Sequence, residues 1–168
     1  MTEVTTLTEA YSRLPDLVRR ACDGLSADQL AWAPAEGANS IGWLIWHLTR
    51  IQDHHVSQLS GQEQAWAAGP WAEQLGRDAD PEDTGFAHKP ADVASIRPPS
   101  ADVLIGYYDT VHDRTMTTIA TITPEDLDRV VDRDWDPPVT MRVRLISVLG
   151  DDLQHVGQAA YIRGLLPG

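Results

Sequence analysis

One cysteine, Cys22, and one lysine, Lys89, are all that this 168-residue chain contains of either residue. A lone cysteine excludes an internal disulfide, a Cys-rich zinc site and a Cys-x-x-Cys redox pair, and leaves Cys22 to fill space on the first helix. The basic residues are almost all arginine, and 13 of them against 25 acidic residues give a formal charge of -12. Duplex binding rests first on a basic patch that neutralises phosphates, so nucleic acid is excluded as a partner. No apolar run approaches the roughly eighteen residues that a membrane span needs. The first residues, MTEVTTLTEAYSRLP, have neither the basic nor the apolar region of a targeting segment, so the expectation is a cytoplasmic protein with no membrane partner. Neither a Gly-x-Ser-x-Gly elbow nor a Gly-rich phosphate loop is present, which sets aside serine-hydrolase and nucleotide readings.

What the chain does have is helical periodicity. Its length suits one domain over 1–168 with a single core. From about Thr6 to Asp23, apolar residues recur at Leu7, Ala10, Tyr11, Leu14, Leu17, Val18 and Ala21, which predicts one helix closed near Gly24. Ser26-Ala-Asp-Gln29 is a capping-box pattern for a short turn of helix. A second long helix is expected from Ser40 to about Gly61, with an aromatic buried face that includes Trp43 and Trp46. The third runs from Ser100, and the fourth from about Thr140 to Gly164. Thr123-Pro-Glu-Asp126 predicts a short helix that mirrors the one at Ser26, so the two halves share a plan. Val139 to Val143 alternates briefly and fits either an extended lead-in or one more helical turn. Between the second and third helices, residues 61–99 are rich in proline and glycine, and so long a connection crosses the body of a domain or covers a site. The expected architecture is an all-α four-helix bundle with a long crossover between helices two and three.

Chemistry has to come from polar residues on faces that should be buried. Asp151 and His155 are four apart on the last helix and therefore stack on one face. His47 lies in an apolar stretch of the second helix, and bringing the two helices together makes a ligand set of two imidazoles and one carboxylate. The competing reading is a hydrogen-bonded core histidine and a chance Asp-x-x-x-His. Asp152, three residues before His155, is an alternative carboxylate.

The stretch from Gly24 to Pro34, the run Asn39-Ser-Ile-Gly-Trp-Leu-Ile-Trp-His47-Leu-Thr-Arg50, and Asp151-Asp-Leu-Gln-His155-Val-Gly-Gln158 resemble the DinB superfamily. That group includes mycothiol-dependent maleylpyruvate isomerases and mycothiol or bacillithiol S-transferases. Many relatives place histidine where this chain has Asp151, while the mycothiol-dependent isomerases resemble it more closely with a carboxylate there. The resemblance implies a divalent metal on His47, Asp151 and His155, and often a homodimer. Zinc is the first expectation for the ion, and nickel, iron and manganese also suit an N and O donor set with an open position.

Two neutral imidazoles and one carboxylate leave a divalent ion with net charge near +1, which favours hydroxide or thiolate as a further ligand. The expected function is a transferase or isomerase in which the metal activates a low-molecular-weight thiol as a thiolate that attacks an electrophile beneath the central loop. A hydrolase using a metal-activated water, or a non-catalytic bundle, are the alternatives. Arg50 and Arg144 are candidate carboxylate-binding groups, and Gln158 is a candidate hydrogen-bond partner for His155. Asp53 is expected to pair with Arg50 on the helix surface, at least one of His54 and His55 to be exposed, and His88 and His112 to have no companions.

Overall fold

A computed structural model describes residues 3–167. The helix expected over 6–23 is two helices, α1 (Glu3–Ser12) and α2 (Leu14–Cys22). Pro15 accounts for the break: it has no N–H to donate, and its ring crowds the carbonyl four residues back, at Tyr11. The apolar stripe survives the break, because Tyr11, Leu14, Val18 and Ala21 are all buried.

Helix α3 (Ala27–Ala31) has the reciprocal cap expected of it. The Ser26 hydroxyl accepts the Gln29 N–H at 3.3 Å, and the Gln29 side chain accepts the Ser26 N–H at 3.0 Å. Helix α4 (Ile41–Ser60) starts where Ser40 accepts the Trp43 N–H at 3.1 Å and stops at Gly61, whose φ of 72° is left-handed. The connection that follows contains three short helices, α5 (Ala65–Ala68), α6 (Trp71–Gln74) and α7 (Pro90–Ser95). Helix α8 (Ala101–Thr121) is capped by Ser100, and α9 (Met141–Leu165) by Thr140.

Between α8 and α9 the short helix expected at Thr123 is a single 3-10 turn, Asp126–Asp128. The Asp126 carboxylate accepts both the N–H and the hydroxyl of Thr123, which closes the turn. Two short antiparallel strands then pair, β1 (Val130–Asp132) with β2 (Val139–Thr140), Val130 lying opposite Thr140. The segment from Val139 to Val143 is thus extended for two residues and helical from Met141. The shared plan of the two halves shows in Leu30 and Leu127, both fully buried, but not in their tryptophans, since Trp32 packs on the core and Trp135 is 65% exposed.

Helix α4 is the centre of the assembly. It packs along α9 on one side and α8 on the other, while α2 leans on α9 and α1 on α8. Trp46, Trp66, Tyr11, Tyr107 and Tyr108 are enclosed among the helices. Each buried aromatic removes on the order of 150–250 Å² from water, about 4–6 kcal/mol of gross transfer free energy before ordering costs. The Tyr11 hydroxyl donates to the Leu145 carbonyl at 2.8 Å and ties α1 to α9. Among the described residues no helix is long and apolar enough to cross a membrane.

Candidate metal centre

The long contact between α4 and α9 brings His47 against Asp151 and His155. One potential ligand atom from each lies within 4.8 Å of the others. His155 Nε2 and Asp151 Oδ1 are 3.4 Å apart. Bonds of about 2.1 Å at a tetrahedral ion give edges of about 3.4 Å, so this pair already has the required spacing.

Both imidazoles are oriented through Nδ1. His47 Nδ1–H donates to the Thr84 carbonyl at 2.6 Å, and His155 Nδ1–H donates to Gln158 Oε1 at 2.9 Å. Carbonyl oxygens only accept, so each ring carries its proton on Nδ1 and its lone pair on Nε2, the atom left for a metal. Trp43 stacks on His47 at 4.5 Å between centroids and meets His155 edge-on, which fixes both ring planes.

The loop reaches His47 this closely because residue 85 is glycine. Its φ is +85°, and a Cβ there would lie 2.8 Å from His47 Nδ1 and 2.8 Å from the Trp46 ring. Burial lowers the pKa of His47, opposed mainly by its bond to Thr84. The hydrogen bond with Asp151 raises that of His155, against burial. Asp151 Oδ2 is buried without a hydrogen-bond partner. A buried, unpartnered carboxylate oxygen beside two converging nitrogens is the donor set a divalent cation satisfies, so these residues fit a metal.

Asp152 lies outside this group. It is 1% exposed and faces the core on the side of Tyr11 and Tyr108, and burial, then the neighbouring Asp151, pushes its carboxyl well above the usual range. Asp151 is therefore the carboxylate that meets both histidines.

The structure gives Arg50 a different occupation from substrate binding. Its side chain is fully buried and donates to the carbonyls of Asp83 and Pro81 at 2.9 Å each and to Gln64 Oε1 at 2.8 Å, with its guanidinium over the Trp66 ring. It holds the central loop onto α4. Asp53 is likewise no surface partner: 2% exposed, it accepts the N–H groups of Ala65 and Trp66 and the Tyr107 hydroxyl, with Arg50 3.6 Å away.

Arg144 is held by Asp132 at 2.5 Å and lies 3.4 Å from His55 Nε2. Neither His54 nor His55 is fully exposed; both are half-buried. Burial, then Arg144, depresses His55 to about 4. Beside the trio, a cavity of about 340 Å³ is bounded by Ile51, His54, His55, Glu82, Thr84 and Phe86. It shares Thr84 with the metal centre, and Phe86, 85% exposed, stands at its rim.

His88 has companions that spacing did not reveal. Trp43 Nε1–H donates to its Nδ1 at 3.2 Å, and its Nε2–H donates to Asp83, which also accepts from Arg77 at 2.7 Å. Those partners come from 45 and 5 residues away, and only the adjacency of Asp83 and His88 to the tryptophan-rich helix in space would have signalled them.

Residues 10–159 match the DinB superfamily. The chain belongs to that superfamily. A conserved protein of a locus from Enterococcus faecalis, solved by crystallography, is similar in structure, with a TM-score of 0.88 and 28% identity over 97% of this chain and 96% of that one. No curated protein matches the sequence. This member of the DinB superfamily is mostly helical, and carries on facing helices a His, Asp, His group able to hold a metal.

Proposed function

We propose that this DinB-superfamily protein is a metal-dependent transferase or isomerase that uses a low-molecular-weight thiol, with a divalent ion, zinc first among the candidates, held by His47, Asp151 and His155. The observation that carries the reading is the unpartnered Asp151 Oδ2 beside two imidazoles whose Nδ1 atoms are already bonded to carbonyl oxygens. When bound, the ion supplies a net charge near +1 that stabilises a thiolate over a thiol.

The chain's own residues supply the rest. Thr84 and Gln158 orient the imidazoles, and Trp43 closes one side of them. The cavity between His55 and Phe86 takes the electrophile, with Arg144 at its His55 end as the group nearest to hold a carboxylate. In this reading the fold is a four-helix bundle, its long connection a crossover that covers the site, and its setting the thiol-rich cytoplasm.

Metal analysis and a thiol assay test it together. Protein purified without added metal should carry about one ion per chain, and His47→Ala should carry none. Thiol-dependent consumption of chlorodinitrobenzene should accompany the bound ion and vanish in His155→Ala. If mycothiol, bacillithiol and glutathione all fail to conjugate on metal-loaded protein, the thiol chemistry is wrong. A chain that binds no metal removes the whole reading.

A further inference from the structure

The turn that carries Phe86 is anchored at both ends. On one side the Thr84 carbonyl accepts His47 Nδ1–H at 2.6 Å. On the other, His88 Nδ1 accepts the Trp43 indole N–H at 3.2 Å, its Nε2–H donates to Asp83, and its ring stacks on Trp46 with centroids 5.6 Å apart. The backbone N–H of His88 donates back to the Gly85 carbonyl at 3.2 Å, which closes residues 85–88 into a β-turn. Within that turn Ala87 has a φ of +62°, and among the described residues it is the one non-glycine residue in the left-handed region. Its Cβ crowds the following carbonyl oxygen there, so the turn holds strain that glycine would not.

The strained turn presents the chain's one phenylalanine to solvent. Phe86 is 85% exposed, at the rim of the cavity of about 340 Å³ that shares Thr84 with the metal centre. Strain and an uncovered aromatic ring are both unfavourable for the free chain, and backbone strain of this kind gathers at ligand clamps and active sites. The cavity's lining says what covers the ring. Ile51 adds a second apolar side chain, and the imidazoles of His54 and His55 meet edge to face with centroids 5.1 Å apart. Burial, then Arg144, depresses His55 to about 4, so that ring meets a ligand as a neutral flat surface. The volume lies near the lower end for small-molecule sites, which suits one ring and its substituents better than an extended molecule.

We infer that Phe86 is the specificity-determining residue of this cavity, and that it selects a small aryl compound whose ring packs between Phe86 and Ile51. Aromatic pairs gain from offset or edge contact beyond the area they bury, and a ring fixed by an anchored turn loses little freedom in making that contact. The inference rests on the reading in which the cavity takes the electrophile, and it names the aryl group as the part of the electrophile that the protein recognises.

Selectivity is the test, read on metal-loaded protein as the ratio of kcat/KM for chlorodinitrobenzene to that for iodoacetamide, which alkylates the same thiolate but has no ring. With chlorodinitrobenzene the thiolate sulfur bonds to the ring carbon, the C–Cl bond breaks, chloride leaves with the electron pair and the thiol proton passes to water. Phe86→Ala should lower the ratio at least tenfold, with the loss in KM for chlorodinitrobenzene, and Phe86→Tyr should restore it. Equilibrium dialysis with 2,4-dinitroaniline, a flat ring that carries no leaving halide, separates this inference from the thiol chemistry. Binding of one dinitroaniline per chain that weakens at least tenfold in Phe86→Ala supports the role of Phe86 even where no thiol is conjugated. Conjugation with the same selectivity in wild type and Phe86→Ala overturns it and leaves the thiol chemistry standing. Dinitroaniline binding that is absent, or indifferent to Phe86, overturns it as well.

Discussion

At the scale of single residues, the nitrogen of an imidazole that does not face the metal decides how well the ring can serve as a ligand. His47 is fixed by a backbone carbonyl, which no side-chain substitution removes, whereas His155 depends on the amide of Gln158, one turn further along α9. Replacing Gln158 therefore isolates this contribution. Gln158→Leu should retain the fold, because the residue is exposed, and should weaken metal binding about 10- to 100-fold. Gln158→Glu should keep most of the affinity, since a carboxylate oxygen accepts the same Nδ1–H. Competition against a chelator of known affinity measures both, and a Leu variant that binds as tightly as wild type would show that His155 needs no such support. Asp152 illustrates the opposite case, a carboxylate adjacent in sequence to a candidate ligand but turned into the core.

At the scale of elements, the segment between α4 and α8 is held by two side chains from one turn of α4. Asp53 accepts the first N–H groups of α5, and Arg50 occupies the carbonyls of residues 80–83 with its donors. Removing one partner from a buried ion pair leaves the other charge uncompensated, at a cost of about 3–5 kcal/mol. Asp53→Ala should lower the unfolding free energy by about that amount, read as a lower denaturant midpoint at unchanged slope, and limited proteolysis should then cut first within residues 61–99. An unchanged midpoint would mean that the pair contributes nothing net. The elements that were legible in the sequence are those with local causes. Ser40, Ser100 and Thr140 cap their helices as their positions suggest, and the four-residue spacing of Asp151 and His155 places both on one face. The break at Pro15, the short helices α5 to α7 and the bonds made by His88 were not legible. A continuous apolar stripe masked the first, and the others depend on partners distant in sequence, among them Asp53, Arg50 and Trp43.

At the scale of the molecule, the response to acid is the sum of groups that pull in opposite directions. Burial, then Arg144, depresses His55 to about 4, and burial lowers His47 and His112 as well. A histidine in the unfolded chain titrates near 6.5. Between that value and the folded value the unfolded state binds more protons, so stability falls as pH falls through the window. Asp83 adds to this: burial raises its carboxyl, but the bond to Arg77 and its charge, with His88, outweigh burial and hold it below the usual range. Its contribution is present above the unfolded carboxylate value and is lost as pH falls through the folded one. His155, raised by its hydrogen bond to Asp151, opposes them, since its contribution is full below the unfolded value and is lost as pH rises through the folded one, and Asp152, raised well above the usual range by burial and then by Asp151, opposes them in the same sense. More groups disfavour acid than favour it, and His55 is the one whose depression reaches about 4. The share of stability that depends on a neutral His55 should therefore be lost from about pH 6.5 to about pH 4, so that metal-free wild-type protein loses melting temperature over that range relative to a chain without this imidazole. Glutamine at position 55 cannot protonate, so His55→Gln should flatten that decline while leaving melting above pH 7 close to wild type. Thermal melts across the range decide it: a variant whose decline parallels that of wild type would move the acid sensitivity to His47, His112 and Asp83.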